Sequence, residues 1–135
     1  MTRGALNNVT QTPEWYHIGK LPTGSVPAIM SVSEDGDILY VGTRAGSLYR
    51  FANLNNARDS ASADVEDFYS AGSIARANTS VIQRSLVQTF GRAITSISFH
   101  PKDRNKVVVT AGNYGNANYV YYSQNAAAPS PSFTQ

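Results

Sequence analysis

The sequence predicts an all-β fold of tandem antiparallel sheets, and three observations carry that prediction. Apolar and β-branched residues alternate with a spacing of two, not 3.6. The apolar runs are short and separated by brief turns bearing Gly, Asp or Asn. The same succession of three runs occurs twice within 135 residues. Composition agrees: 41% hydrophobic and 10% aromatic residues, with eight Tyr and five Phe, exclude an intrinsically disordered chain.

Taken in order, the first strand-like stretch is residues 14–19 (EWYHIG), expected to lead into the first unit. Residues 26–33 (VPAIMSVS), 38–43 (ILYVGT) and 47–53 (SLYRFAN) follow as three strands. Glu34-Asp35-Gly36-Asp37 separates the first two, and Asp-Gly supplies a positive-φ turn position at little cost. Arg44-Ala45-Gly46 separates the second from the third. Spacers this short require antiparallel neighbours, because a parallel crossover needs a dozen residues or more. Residues 26–53 therefore read as a three-stranded meander.

Residues 55–80 are rich in Ala, Ser, Asn and Asp and read as a long loop, with one helical turn expected around 64–68. A strand at 81–90 (VIQRSLVQTF) then leads into a second meander: 93–99 (AITSISF), 106–111 (KVVVTA) and 118–123 (NYVYYS). Ala28-Ile29 aligns with Ala93-Ile94, and Ser31, Val32 and Ser33 align with Ser96, Ile97 and Ser98 at the same offset. Val41-Gly42-Thr43 has its counterpart in Val109-Thr110-Ala111, and Leu48-Tyr49 in Val120-Tyr121. The tail 125–135 (NAAAPSPSFTQ) is irregular by its prolines, yet Phe133 offers the start of another outer strand.

Four-stranded antiparallel units in tandem are the plan of β-propeller blades. The expected architecture is a partial propeller of about two consecutive blades: 1–54 the first, 55–80 a connecting loop, 81–135 the second and truncated. A ring of the smallest size needs about 160 residues. Two units cannot close, so the expectation is a piece of a larger ring, or one that assembles with other copies.

The stretches LYVGTRAGSLYRFANL and VVVTAGNYGNANYVYYSQN, the latter following AITSISFHPKDRNK, resemble blades of the sialidase-like, Asp-box propellers of large bacterial surface proteins. In that family the third strand of a blade ends in Tyr-x-Ser-x-Asp-x-Gly followed by Trp or Phe. Tyr121-Tyr122-Ser123-Gln124-Asn125 matches its beginning, with Asn125 in place of Asp, Ala127 in place of Gly, and Phe133 arriving late. Arg50-Phe51-Ala52-Asn53 in the first unit has no Ser. The resemblance implies blade architecture and an extracellular or cell-surface location. It does not imply activity, because such boxes are turns found in enzymes and non-enzymes alike. Ser123 and Asn125 suit that turn, where short polar side chains bond nearby backbone N–H groups.

Charge and composition exclude much else. Net charge is only +2, from eleven basic and nine acidic residues, which points to neither nucleic acid nor an anionic membrane as partner. No apolar stretch approaches a membrane-spanning helix, and no cysteine exists for disulfide, redox or thiolate–metal chemistry. His17 and His100 lack any ligand spacing, and 34–37 lacks the alternating ligands of a calcium loop. No cofactor is expected. The best contact loop is 112–116, where two Gly and two Asn permit positive φ and present amides; Asn113, Tyr114 and Asn116 are its candidate binding residues. Arg92, just before an inner strand, is the arginine best placed to hold a carboxylate.

The expected function is a non-catalytic propeller segment, serving as scaffold and as a protein- or glycan-binding surface of a larger extracellular protein. Its partners are neighbouring blades. The alternative is a fragment of a sialidase-like glycoside hydrolase whose catalytic residues lie mostly outside this chain.

Overall fold

The structure, a computed structural model, describes residues 2–3, 14–15, 18–56, 81–112 and 119–135. It is all-β, with two principal antiparallel sheets. β1 (Thr2–Arg3) and β2 (Glu14–Trp15) pair with each other as a separate two-stranded ladder. The first principal sheet has the order β3 (Pro27–Val32), β4 (Leu39–Thr43), β5 (Ser47–Ala52), β6 (Gln83–Thr89). The second has the order β7 (Ile94–His100), β8 (Asp103–Ala111), β9 (Val120–Ser123). A short 3-10 turn, Leu54–Asn56, follows β5.

Two expectations about lead strands are corrected. Glu14–Trp15 does not join the first meander but bonds to Thr2–Arg3. The strand at 81–90, expected to lead into the second unit, is instead hydrogen-bonded to β5, with Tyr49 opposite Leu86 and Phe51 opposite Arg84. Alternation of side chains identifies a strand without saying which sheet edge it joins. The second sheet begins the same extension: Tyr122 and Thr134 exchange backbone bonds at 2.8 and 2.9 Å, on the edge of β9 that corresponds to β5. The fourth strand of the first sheet therefore follows its meander, and a single bridge stands at the same edge of the second.

The two sheets share one register. Met30, Val41 and Tyr49 lie side by side in the first, and Ile97, Val109 and Tyr121 in the second. Both first strands carry a bulge at the corresponding place, which leaves Ala28 and Thr95 unpaired. Such a bulge kinks the strand and increases its twist.

The sheets pack face to face around one core: Ile38, Tyr40 and Leu48 from the first, Ile94, Ile97, Val107 and Val109 from the second, closed by Ala126 and Phe133 of the tail. Tyr40 packs against Phe99 and Phe133 at centroid distances of 5.5 and 6.0 Å. Burying a large apolar side chain of this kind contributes about 1.5–3 kcal/mol. A Cβ added to Gly42 would sit 2.6 Å from Ile94 Cγ2, so a side chain there has no room between the sheets. A second, smaller core lies on the opposite face of the first sheet, where Ile18, Leu21 and Ile82 cover Val41, Tyr49 and Phe51.

Candidate functional site

The polar residues with defined geometry gather at strand ends. In the tail of the second sheet, Ser123 Oγ donates to Asn125 Oδ1 at 3.0 Å and accepts from the Asn125 backbone N–H at 3.2 Å. Asn125 Oδ1 also accepts from the Ser132 backbone N–H at 3.0 Å, which folds the Pro-rich segment back toward the sheet. Ser123 is buried, so these bonds replace ladder bonds lost where the strand ends.

The same device stands in the first sheet, in the turn that separates β3 from β4. Ser33 Oγ donates to Asp35 Oδ1 at 2.6 Å and accepts from the Ile38 N–H at 3.0 Å. The signal was available: Ser-x-Asp at 33–35 has the spacing of Ser-x-Asn at 123–125. The Ser33 hydroxyl is the main reason that the Asp35 carboxyl is held below the ordinary carboxylate range; burial opposes, and the Asp37 N–H and Arg104 add to the lowering.

Arg104 links this turn to the second sheet, reaching Asp35 Oδ2 at 2.8 Å and Asp37 Oδ2 at 3.5 Å. Asp37 also accepts from the Asn55 backbone N–H at 3.1 Å. Arg50 is buried and donates from Nη2 to the Ala127 carbonyl at 2.7 Å, while Tyr40 donates to the Ala126 carbonyl at 2.8 Å. Together they hold the tail turn against the first sheet. His100 Nδ1 accepts from the Lys102 N–H at 3.2 Å, as a turn staple does.

Of the binding candidates, Asn113, Tyr114 and Asn116 lie outside the described residues, as does His17. Arg92 is half-buried in the β6–β7 connection, where its backbone abuts the β4–β5 turn at Gly46. Arg50 and Arg104 are bonded to the Ala127 carbonyl and to Asp35. Among the described residues no group of three His, Asp or Glu side chains is placed to hold a metal ion. Among the described residues no helix is long and apolar enough to cross a membrane.

What the described surface does offer is apolar. On the face of the second sheet turned away from the first, Val108, Val120 and Tyr122 are exposed. A groove of about 500 Å³ runs over this face, lined by Ser98, Phe99, Val108, Tyr122 and the Lys106 side chain among others. The outer face of the first sheet carries exposed Met30, Val32 and Leu86, with a smaller hollow of about 280 Å³ between Ile18, Met30 and Leu39. Antiparallel sheets that face water on one side commonly carry polar residues there. Compared with protein-family models, curated proteins and solved structures, the chain matches none.

Proposed function

We propose that this chain is two consecutive blades of a sialidase-like propeller, a non-catalytic scaffold within a larger extracellular assembly that presents loops to a protein or glycan. One observation carries the reading. The two sheets repeat each other in strand order, register and bulge position, and each carries exposed apolar side chains on its outer face. Radially arranged blades have this property, since every sheet covers the next.

The chemistry of the polar groups supports a scaffold over a hydrolase. A general acid at neutral pH needs a raised carboxyl pKa. Asp35 and Asp103 are shifted the other way, chiefly by the Ser33 hydroxyl in the one and by the Asn105 N–H in the other.

Two assays test the proposal. Surface labelling of intact producing cells should tag the exposed Lys102 and Lys106; recovery of unlabelled protein from the cytosol alone overturns the extracellular reading. A glycan array run beside a fluorogenic sialoside assay should show no turnover. Sialoside cleavage abolished by Arg92→Ala would replace the scaffold with an enzyme.

A further inference from the structure

The two sheets do not meet as mirror images. The first offers Tyr40 and the second offers Ile97 to their shared core. In the common register, Tyr40 occupies the position that Val108 has in the second sheet, and Ile97 occupies the position that Met30 has in the first. Val108 and Met30 are 43% and 65% exposed, each on the outer face of its own sheet. The internal contact is thus heterologous, one kind of face against another kind. One face of each kind takes no part in that contact; on the first sheet Ile18, Leu21 and Ile82 cover its β4–β5 part and leave Met30, Val32 and Leu86 exposed.

We infer that a second copy of this chain docks here, laying the Met30 face of its first sheet on the Val108 face of its neighbour's second sheet. The inference rests on the reading of the sheets as blades and names the source of the neighbouring blades. The complement of each open face is present on the same chain, and the fold already demonstrates that the two kinds pack. Both faces are apolar where the contact would form: Val108, Val120 and Tyr122 on one, Met30, Val32 and Leu86 on the other. Both are also hollowed, which suits interdigitation better than a flat contact. A heterologous contact either closes into a ring or runs on as a filament. With two sheets per copy and about four to eight blades per propeller, closure takes about two to four copies.

The test is light scattering coupled to size-exclusion chromatography on the full chain, Met30→Lys, Val108→Lys and their equimolar mixture, with hydrogen exchange on the same samples. The wild-type chain should run at two or more chain masses. Each variant alone should fall to a single chain mass, because every copy then lacks the same face. The mixture should recover a one-to-one pair, since Met30→Lys keeps a sound Val108 face and Val108→Lys keeps a sound Met30 face. A like-to-like contact cannot produce that recovery. A variant that still self-associates, or a mixture that stays monomeric, overturns the proposal. A monomeric wild type whose β3–β9 amides are protected overturns docking by a second copy and leaves the blade reading standing. A monomeric wild type without that protection overturns both.

Discussion

The contact between the β4–β5 turn and the β6–β7 connection can be isolated with two glycines. Gly46 and Gly91 both hold a left-handed backbone, at φ of 87° and 70°. Alanine at either incurs about 1–2 kcal/mol of conformational cost, offset by about 0.4–1 kcal/mol from a stiffer unfolded chain. Those terms are common to both sites. The surroundings differ. At Gly91 an added Cβ meets nothing within 4 Å, whereas at Gly46 it would lie 2.3 Å from the Arg92 carbonyl oxygen and 2.4 Å from the Arg92 nitrogen. Gly46 is held on both sides: its N–H bonds the Thr43 carbonyl at 3.1 Å, and its carbonyl accepts from the Phe90 N–H at 2.9 Å. Overpacking costs about 1–3 kcal/mol in general, and an obstacle made of backbone belongs at the upper end. Gly46→Ala is therefore expected to lose about 2–3 kcal/mol more than Gly91→Ala. Urea unfolding followed by circular dichroism measures both, with equal m-values as the check that the unfolded states match. If the two variants agree within about 0.5 kcal/mol, the turn and the connection do not touch, and the placement of Arg92 against the first sheet is wrong.

Further outcomes are specific. Tyr40→Phe removes a buried hydrogen bond and leaves the Ala126 carbonyl short of its phenolic donor, for a loss of about 1–2 kcal/mol in the same unfolding assay. Burial pushes the Tyr40 phenol well above its ordinary value, with the Arg50 charge opposing weakly. The fold therefore favours the neutral phenol: stability is intact below about pH 10 and falls as pH rises beyond it, and Tyr40→Phe flattens that alkaline limb in a pH series of melting temperatures. For Asp35 the sign is reversed. Its lowered pKa supplies stability above the ordinary carboxylate range that is lost as pH falls through the folded value, and Asp35→Asn flattens the acid limb. Ser123→Ala removes both bonds to Asn125 at a buried position and should cost about 1–2 kcal/mol. It should also raise hydrogen exchange at the Ser132 and Thr134 amides.

The meanders were legible because their spacers leave no freedom. Tight turns at 34–37 and 44–46 force antiparallel neighbours, and period-two alternation says which side chains share a face. The pairing of Val41 with Val109 and of Tyr49 with Tyr121, read from similarity, recurs in the strand register. The first strands were aligned at an offset of 65, while the register puts Met30 against Ile97, an offset of 67. The slip is two residues, which preserves the alternation of side chains; similarity between short Ser- and Ile-containing runs carries no information about a bulge. The fourth strands were misassigned for a different reason. A strand at 81–90 can satisfy its backbone on either neighbouring sheet, and the choice depends on which edge is open after the core forms. The Ser33–Asp35 staple does not stand out in the sequence because the acidic run 34–37 dominates the turn, whereas the informative atom is the hydroxyl one residue before it.

The placement of polar groups bears on where the function of this chain lies. Ser33, Asp35, Asp37, Arg104, Ser123 and Asn125 are all engaged with one another or with backbone at strand ends, and Arg50 and Tyr40 hold the tail turn. A group that donates or accepts within a turn in this way is fixed in place and is least available to a reacting molecule. Among the described residues the outer sheet faces also carry exposed apolar side chains, Met30, Val32 and Leu86 on the first sheet and Val108, Val120 and Tyr122 on the second. In the strand register Met30 stands where Ile97 stands in the second sheet, and Val108 where Tyr40 stands in the first.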